Sequence, residues 1–252
     1  MSEGANGFVK VAAVQAAPIS FDLPKSLQKL SGLSAEAASK GAQIVVFPEG
    51  FLTAYPWRYA FDATIGAREP RGLCRHYFPR YSHSDWYARY YESAVGIPSP
   101  ECDFLAEVAK SNQIYLSVGI IEKDQGTLYC TALLLGKDGT ILSRHRKLIP
   151  TAAERLVWGR GAGDGLNVVQ TELGKIGGLI CWENYMPAAR LALYQQGIDH
   201  GGSCVVGPLG TFLAEPVWDR EEIVYATLRS MDIVEARLDF DPVGSYARPD
   251  VL

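Results

Sequence analysis

The chain has 252 residues, 48% of them hydrophobic, and a formal net charge of −4 at pH 7. That is enough apolar material for one large α/β domain or two small ones with a buried core. The acidic balance and the lack of a long basic stripe argue against nucleic acid as a partner, and no apolar run is long enough to span a bilayer. The five cysteines, Cys74, Cys102, Cys130, Cys181 and Cys204, are odd in number and widely spaced. Without a CxxC pair, neither a zinc site nor a redox motif is expected. The N-terminal residues have no signal-peptide character, so a cytoplasmic setting with free thiols is expected.

In chain order, residues 9–15 alternate as a strand does. Residues 23–40 carry Leu27, Leu30, Leu33 and Ala37 at helical spacing, with Gly41 just past the C-terminus. Residues 44–47 form an apolar run expected to be a strand buried on both faces. Residues 55–97 are crowded with aromatic and arginine side chains, which read as a pocket mouth, an interface or a satellite core.

A helix is expected over 102–112, then strands at 115–122 and 128–135 joined by the polar turn 123–126. A hairpin turn at 137–140 leads into a strand at 141–146. A further hairpin is expected from strands 166–171 and 175–180, followed by a helix over 187–196 with Pro187 at its start. Short strands at 203–206, 211–214 and 223–228 and a helix at 230–237 complete the reading. This alternation on an apolar, mixed sheet implies an α/β sandwich.

Three strand ends carry chemistry. Cys181 closes the apolar run from Ile176, Glu49 follows 45–47 and Pro48, and Lys147 follows 141–146. A thiol, a carboxylate and an ammonium are what nucleophilic attack on a carbon–nitrogen bond requires. A cysteine on a strand–turn–helix elbow also presents the next backbone N–H, that of Trp182, to developing negative charge. Each signal alone has a plainer explanation: a packed cysteine, a solvated glutamate, one of three basic residues facing water. Together, at strand ends where α/β sites form, they carry more weight. Glu154, seven residues after Lys147, orients that ammonium, handles a second proton transfer, or simply pairs at the surface with Arg155 or Arg160. The four histidines are scattered, and neither metal-ligand spacing nor a phosphate-binding loop is present.

These segments resemble the nitrilase superfamily, the carbon–nitrogen hydrolases. The matching stretches are Phe47-Pro-Glu49-Gly-Phe, His145-Arg-Lys147 through Glu154 to Trp158-Gly, and Gly178-Leu-Ile-Cys181-Trp-Glu183-Asn-Tyr-Met-Pro187, with a similar ending over 243–250. The resemblance implies a single domain over residues 1–252 with an αββα sandwich fold. It implies Glu49 as base, Lys147 as electrostatic stabiliser, Cys181 as nucleophile and Glu154 as supporting acid. The Trp182-Glu183 pair looks like the nitrile-cleaving branch, and Tyr55, Trp182 and Glu183 are the expected substrate-binding residues. No cofactor or metal is implied; the expected partners are a small nitrile and further copies of the chain, as a dimer or a spiral.

One departure stands out. After the helix at 187–196 the chain runs straight into Gly197-Ile-Asp-His-Gly-Gly-Ser203, where the family continues with a strand, a long helix and another strand. Several tens of residues are missing, more than a loop-length change explains. Either the chain lacks a strand–helix–strand unit near residue 199, or Asp199 and His200 are not true neighbours. An amidase or N-carbamoyl hydrolase of the same superfamily is the alternative enzyme, and an inactive truncated homologue with a binding or assembly role is the other.

Overall fold

A computed structural model of the chain describes residues 8–56, 61, 83–196, 205–218 and 220–236. Its centre is a six-stranded mixed sheet in the order β10-β1-β2-β3-β4-β5. The strands are β1 (Phe8–Gln15), β2 (Ile44–Val46), β3 (Tyr115–Asp124), β4 (Thr127–Leu135), β5 (Ile141–Arg146) and β10 (Glu222–Arg229). β1, β2 and β3 run parallel, and the remaining neighbours pair antiparallel.

Two helices cover one face. α1 (Leu23–Ser39) starts where the Asp22 side chain accepts the Lys25 N–H, and Gly41 follows its end at φ +83°. This left-handed conformation suits a glycine. α3 (Pro100–Asn112) begins at Ser99, whose hydroxyl accepts the Cys102 N–H, and stops at Gln113 in the left-handed region. Strand alternation then turns Ala12, Val14, Val45, Leu116, Val118, Ile120, Leu133 and Leu135 toward Leu27, Leu30, Leu105 and Val108, forming the main core. Each such valine, leucine or isoleucine side chain contributes roughly 1.5–3 kcal/mol on burial.

The hairpins follow their turn chemistry. Gln125 and Gly126, both at positive φ, link β3 to β4 directly, so both strands run one or two residues further than the spacing suggests. At the next turn the Asp138 carboxylate accepts the Thr140 N–H at 2.9 Å.

Two expectations need correction. β2 is not buried on both faces: Val45 is sealed against the helices, whereas Val46 is 42% exposed on the opposite side. The run before Cys181 is not a strand to its end. β6 (Val169–Thr171) and β7 (Gly174–Ile176) form a three-residue ladder, and residues 177–180 have no regular structure. A strand persists only while a neighbour satisfies its backbone, and among the described residues β7 pairs with β6 alone.

The expected second sheet is represented among the described residues by two two-stranded ladders, β6–β7 and β8–β9 (Val205–Val206 and Phe212–Ala214), the latter lying against β10. α4 (Pro187–Gln195) and α5 (Ser230–Ala236) complete the described elements, together with α2 (His83–Glu92). In the aromatic stretch, Phe61 and Tyr90 are buried in a satellite cluster with Ile121, Leu128, Cys130, Trp158 and Ile180. The other rings at 57–82 lie outside the described residues, as do the Asp199–His200 junction and the tail beyond 236. No described helix is long and apolar enough to cross a membrane.

Candidate active site

Glu49 lies in the turn that follows β2, beyond the carboxyl ends of the parallel strands, where open α/β sheets place their sites. The turn crosses β3 at Gly119. A Cβ there would sit 2.3 Å from the Pro48 carbonyl oxygen and 2.7 Å from Glu49 Cα, so only glycine admits the crossing. Lys147 follows β5, its backbone N–H bonded to the Cys130 carbonyl at 2.8 Å.

Its ammonium, 1% exposed, lies 2.8 Å from Glu49 Oε1 and 2.8 Å from Glu154 Oε2. Burial alone would pull the lysine toward its neutral form. The hydrogen bonds to Glu154 and Glu49 and the Glu49 charge outweigh it, and its pKa rises. Lys147 also lies over the Trp158 ring, 5.7 Å from its centroid.

Glu154 has both oxygens engaged. Oε2 also accepts the Thr151 N–H at 2.6 Å, which opens the short helical turn Ala152–Leu156, and Oε1 accepts the Tyr55 hydroxyl at 2.6 Å. These contacts set Glu154 against the ammonium and not, among the described residues, against Arg155 or Arg160. Tyr55 stacks edge-on to Trp158, and burial and the Glu154 bond push its pKa up, keeping it a donor.

Cys181 is exposed and opens a 3₁₀ turn, Cys181–Tyr185, at φ +52°. A left-handed conformation is strained for a residue with a Cβ, and such strain clusters at functional turns. Its thiol exchanges interactions with Glu49, Lys147 and the Trp182 N–H. Desolvation and then the Glu49 charge raise its pKa, while Lys147 and the Trp182 N–H oppose them. One cation between two carboxylates leaves the surroundings net negative. The resting group is therefore a thiol, and attack requires a base to take its proton.

The expected substrate-binding residues separate. Trp182 is 60% exposed beside the thiol, its ring 5.5 Å from that of Tyr185, and Tyr55 is half-exposed. Glu183 is fully buried and faces away from solvent. Its carboxylate accepts the Ile180 N–H at 2.7 Å and the Leu148 N–H at 2.6 Å, and meets His145 Nε2 at 2.8 Å. Each of these partners is internal, so Glu183, expected at the substrate, is enclosed by the protein. Sequence reasoning also missed Gly119, Cys130 and His145. Their contacts join residues between 38 and 81 positions apart, or bring backbone against backbone, and no local motif marks them.

Residues 10–200 match the carbon–nitrogen hydrolase family model. The chain belongs to that family, within the nitrilase superfamily. This hydrolase is 36% identical to nitrilase 2 of Arabidopsis thaliana, covering 97% of this chain and 87% of the relative. It is 37% identical to an aliphatic nitrilase of Sinorhizobium fredii (strain HH103), covering 96% and 93%. The Arabidopsis alignment runs over 306 positions, more than the 252 residues here, so that relative carries residues this hydrolase lacks. Among solved structures it resembles Saccharomyces cerevisiae Nit3, a member of branch 10 of the nitrilase superfamily. The TM-score is 0.68 at 20% identity, over 96% of this chain and 97% of that one. The C. elegans NitFhit protein matches with a TM-score of 0.67 at 18% identity, over 98% and 67%.

Proposed function

We propose that the protein is a nitrilase that converts an organic nitrile to the carboxylic acid and ammonia. The observation that carries this reading is the buried Lys147 ammonium, 2.8 Å from both Glu49 and Glu154, beside the exposed thiol of Cys181. The nitrilases among its relatives support it.

Cys181 sulfur adds to the nitrile carbon as its proton passes to Glu49 and on to the nitrile nitrogen. One carbon–nitrogen π bond breaks and a thioimidate forms. Lys147 and the Trp182 N–H stabilise the negative charge developing during addition. Glu49 then takes a proton from a water as its oxygen adds to the carbon. The tetrahedral adduct takes that proton on nitrogen and, as its hydroxyl proton follows through Glu49, expels ammonia and leaves a thioester. A second water, activated by the same carboxylate, releases the acid and returns the proton to sulfur.

Glu154 and Tyr55 hold the ammonium in place. The Trp182 and Tyr185 rings beside the thiol suit a bulky apolar nitrile. A single-domain chain and assembly into a homo-oligomer belong to the same proposal and rest on the family resemblance; a cytoplasmic setting belongs to it too and rests on the widely spaced, odd-numbered cysteines.

The test is a panel of aliphatic, arylaliphatic and aromatic nitriles with their matched amides, following ammonia, acid and amide. The expected result is acid and ammonia from at least one nitrile, abolished in a folded Cys181→Ala variant. Hydrolysis of amides with none of nitriles overturns the nitrilase reading in favour of an amidase. Substantial turnover by Cys181→Ala overturns the nucleophile.

A further inference from the structure

A second thiol stands at the site. Cys130, in β4, is 1% exposed, and its sulfur lies 3.4 Å from Glu49 Oε1. Its carbonyl accepts the Lys147 N–H at 2.8 Å, so one residue touches both the acid and the strand end bearing the ammonium. Lys147 Nζ bonds to that same Oε1. Two donors thus converge on one carboxylate oxygen.

The two cysteines differ in kind. Cys181 is open to solvent, whereas Cys130 is sealed among Leu128, Trp158 and Ile180. Burial and the facing carboxylate hold Cys130 protonated, a state in which it is a donor and a poor nucleophile.

We propose that Cys130 is a positioning residue for Glu49, its S–H fixing Oε1 so that Oε2 faces the reacting thiol. The proposal rests on the base role given to Glu49. A carboxylate on a rotatable side chain with a single anchor samples orientations that do not reach the proton, and misplacement is costly to rate.

The experiment compares Cys130→Val, which fills the space without a donor, with Cys130→Ser, which keeps a donor. One readout is the kcat and KM of nitrile hydrolysis. The other is the rate of Cys181 alkylation by iodoacetamide, followed by mass spectrometry on folded protein and independent of turnover. Cys130→Val is expected to lose about ten-fold in kcat with little change in KM. Its Cys181 alkylation slows as well, while Cys130→Ser stays close to wild type in both. A Val variant that behaves as wild type, a loss confined to Ser, or equal loss in both overturns the proposal, because the sulfur then serves only packing. If the wild type releases no ammonia from any nitrile or amide, the functional reading fails, and the alkylation pattern still decides the role of Cys130.

Discussion

His145 Nε2 and Glu183 Oε2 lie 2.8 Å apart in the interior, and the same carboxylate accepts the N–H of Ile180 and of Leu148. One acid therefore ties the residue before the nucleophile to the residues on both sides of Lys147. Desolvation works against its ionised form, but His145 and the two backbone donors prevail and its pKa falls below the ordinary 4.5. A lowered acid contributes stability that is present above pH 4.5 and is lost as pH falls through the folded-state value. Glu183→Ala is expected to cost about 3–5 kcal/mol in urea unfolding at pH 7, because it strands buried donors. Glu183→Gln is expected to lose less stability than wild type on acidification from pH 7 to below 4.5; an unchanged pH dependence contradicts the brace.

Lys147 holds two carboxylates that without it would face each other in a partly dry space. Lys147→Ala is expected to lose about 3–5 kcal/mol of stability and at least about 10²-fold in nitrile turnover. Adding Glu154→Gln to that variant removes one of the stranded charges. The double variant should regain part of the stability, read by chemical denaturation, and none of the activity. A double variant no more stable than Lys147→Ala would show that repulsion between the acids is unimportant.

Gly119 tests the placement of Glu49 from a distance. An alanine methyl drives into the Pro48 carbonyl and the Glu49 Cα, both backbone, so the turn must move. The expected cost is about 1–3 kcal/mol in stability. Activity should fall by about ten-fold or more as the carboxylate shifts. Full activity in a folded Gly119→Ala variant would mean that the turn relaxes without displacing the acid.

The left-handed backbone at Cys181 makes a thermodynamic prediction separate from chemistry. At ordinary positions glycine is less stable than alanine, but at φ +52° alanine carries the steric penalty. Cys181→Gly is expected to be more stable than Cys181→Ala by about 1 kcal/mol, measured by thermal unfolding of the two inactive variants. The usual order would place the elbow in a different conformation.

Much of the fold was legible because its causes are local. α1 could be read from four apolar positions and the glycine after them, and the β3–β4 and β4–β5 turns from Gln125-Gly126 and Asp138-Gly139. Of the residues singled out in the sequence, Glu49 and Glu154 each meet Lys147, and Cys181 lies beside them. What could not be read depends on neighbours remote in sequence. Whether 177–180 forms a strand is decided by a partner and not by its own apolar residues. Glu183 looked available to substrate because nothing in its own segment reveals that His145 and Leu148 will enclose it. The exposure of Val46 likewise depends on what packs over that side of the sheet.

Glu49 and Lys147 follow the ends of β2 and β5, strands of the six-stranded ladder, whereas the sulfur at 181 arrives on residues 177–180, which among the described residues join no ladder. Segments outside a ladder open at lower free energy than core strands, so the proposed nucleophile is expected to loosen before the main sheet melts. Catalytic competence should fade, reversibly, at temperatures where the far-ultraviolet signal of the main sheet is still intact. On this reading the thermal ceiling on turnover is expected to follow the seating of one short segment, ahead of the melting of the core.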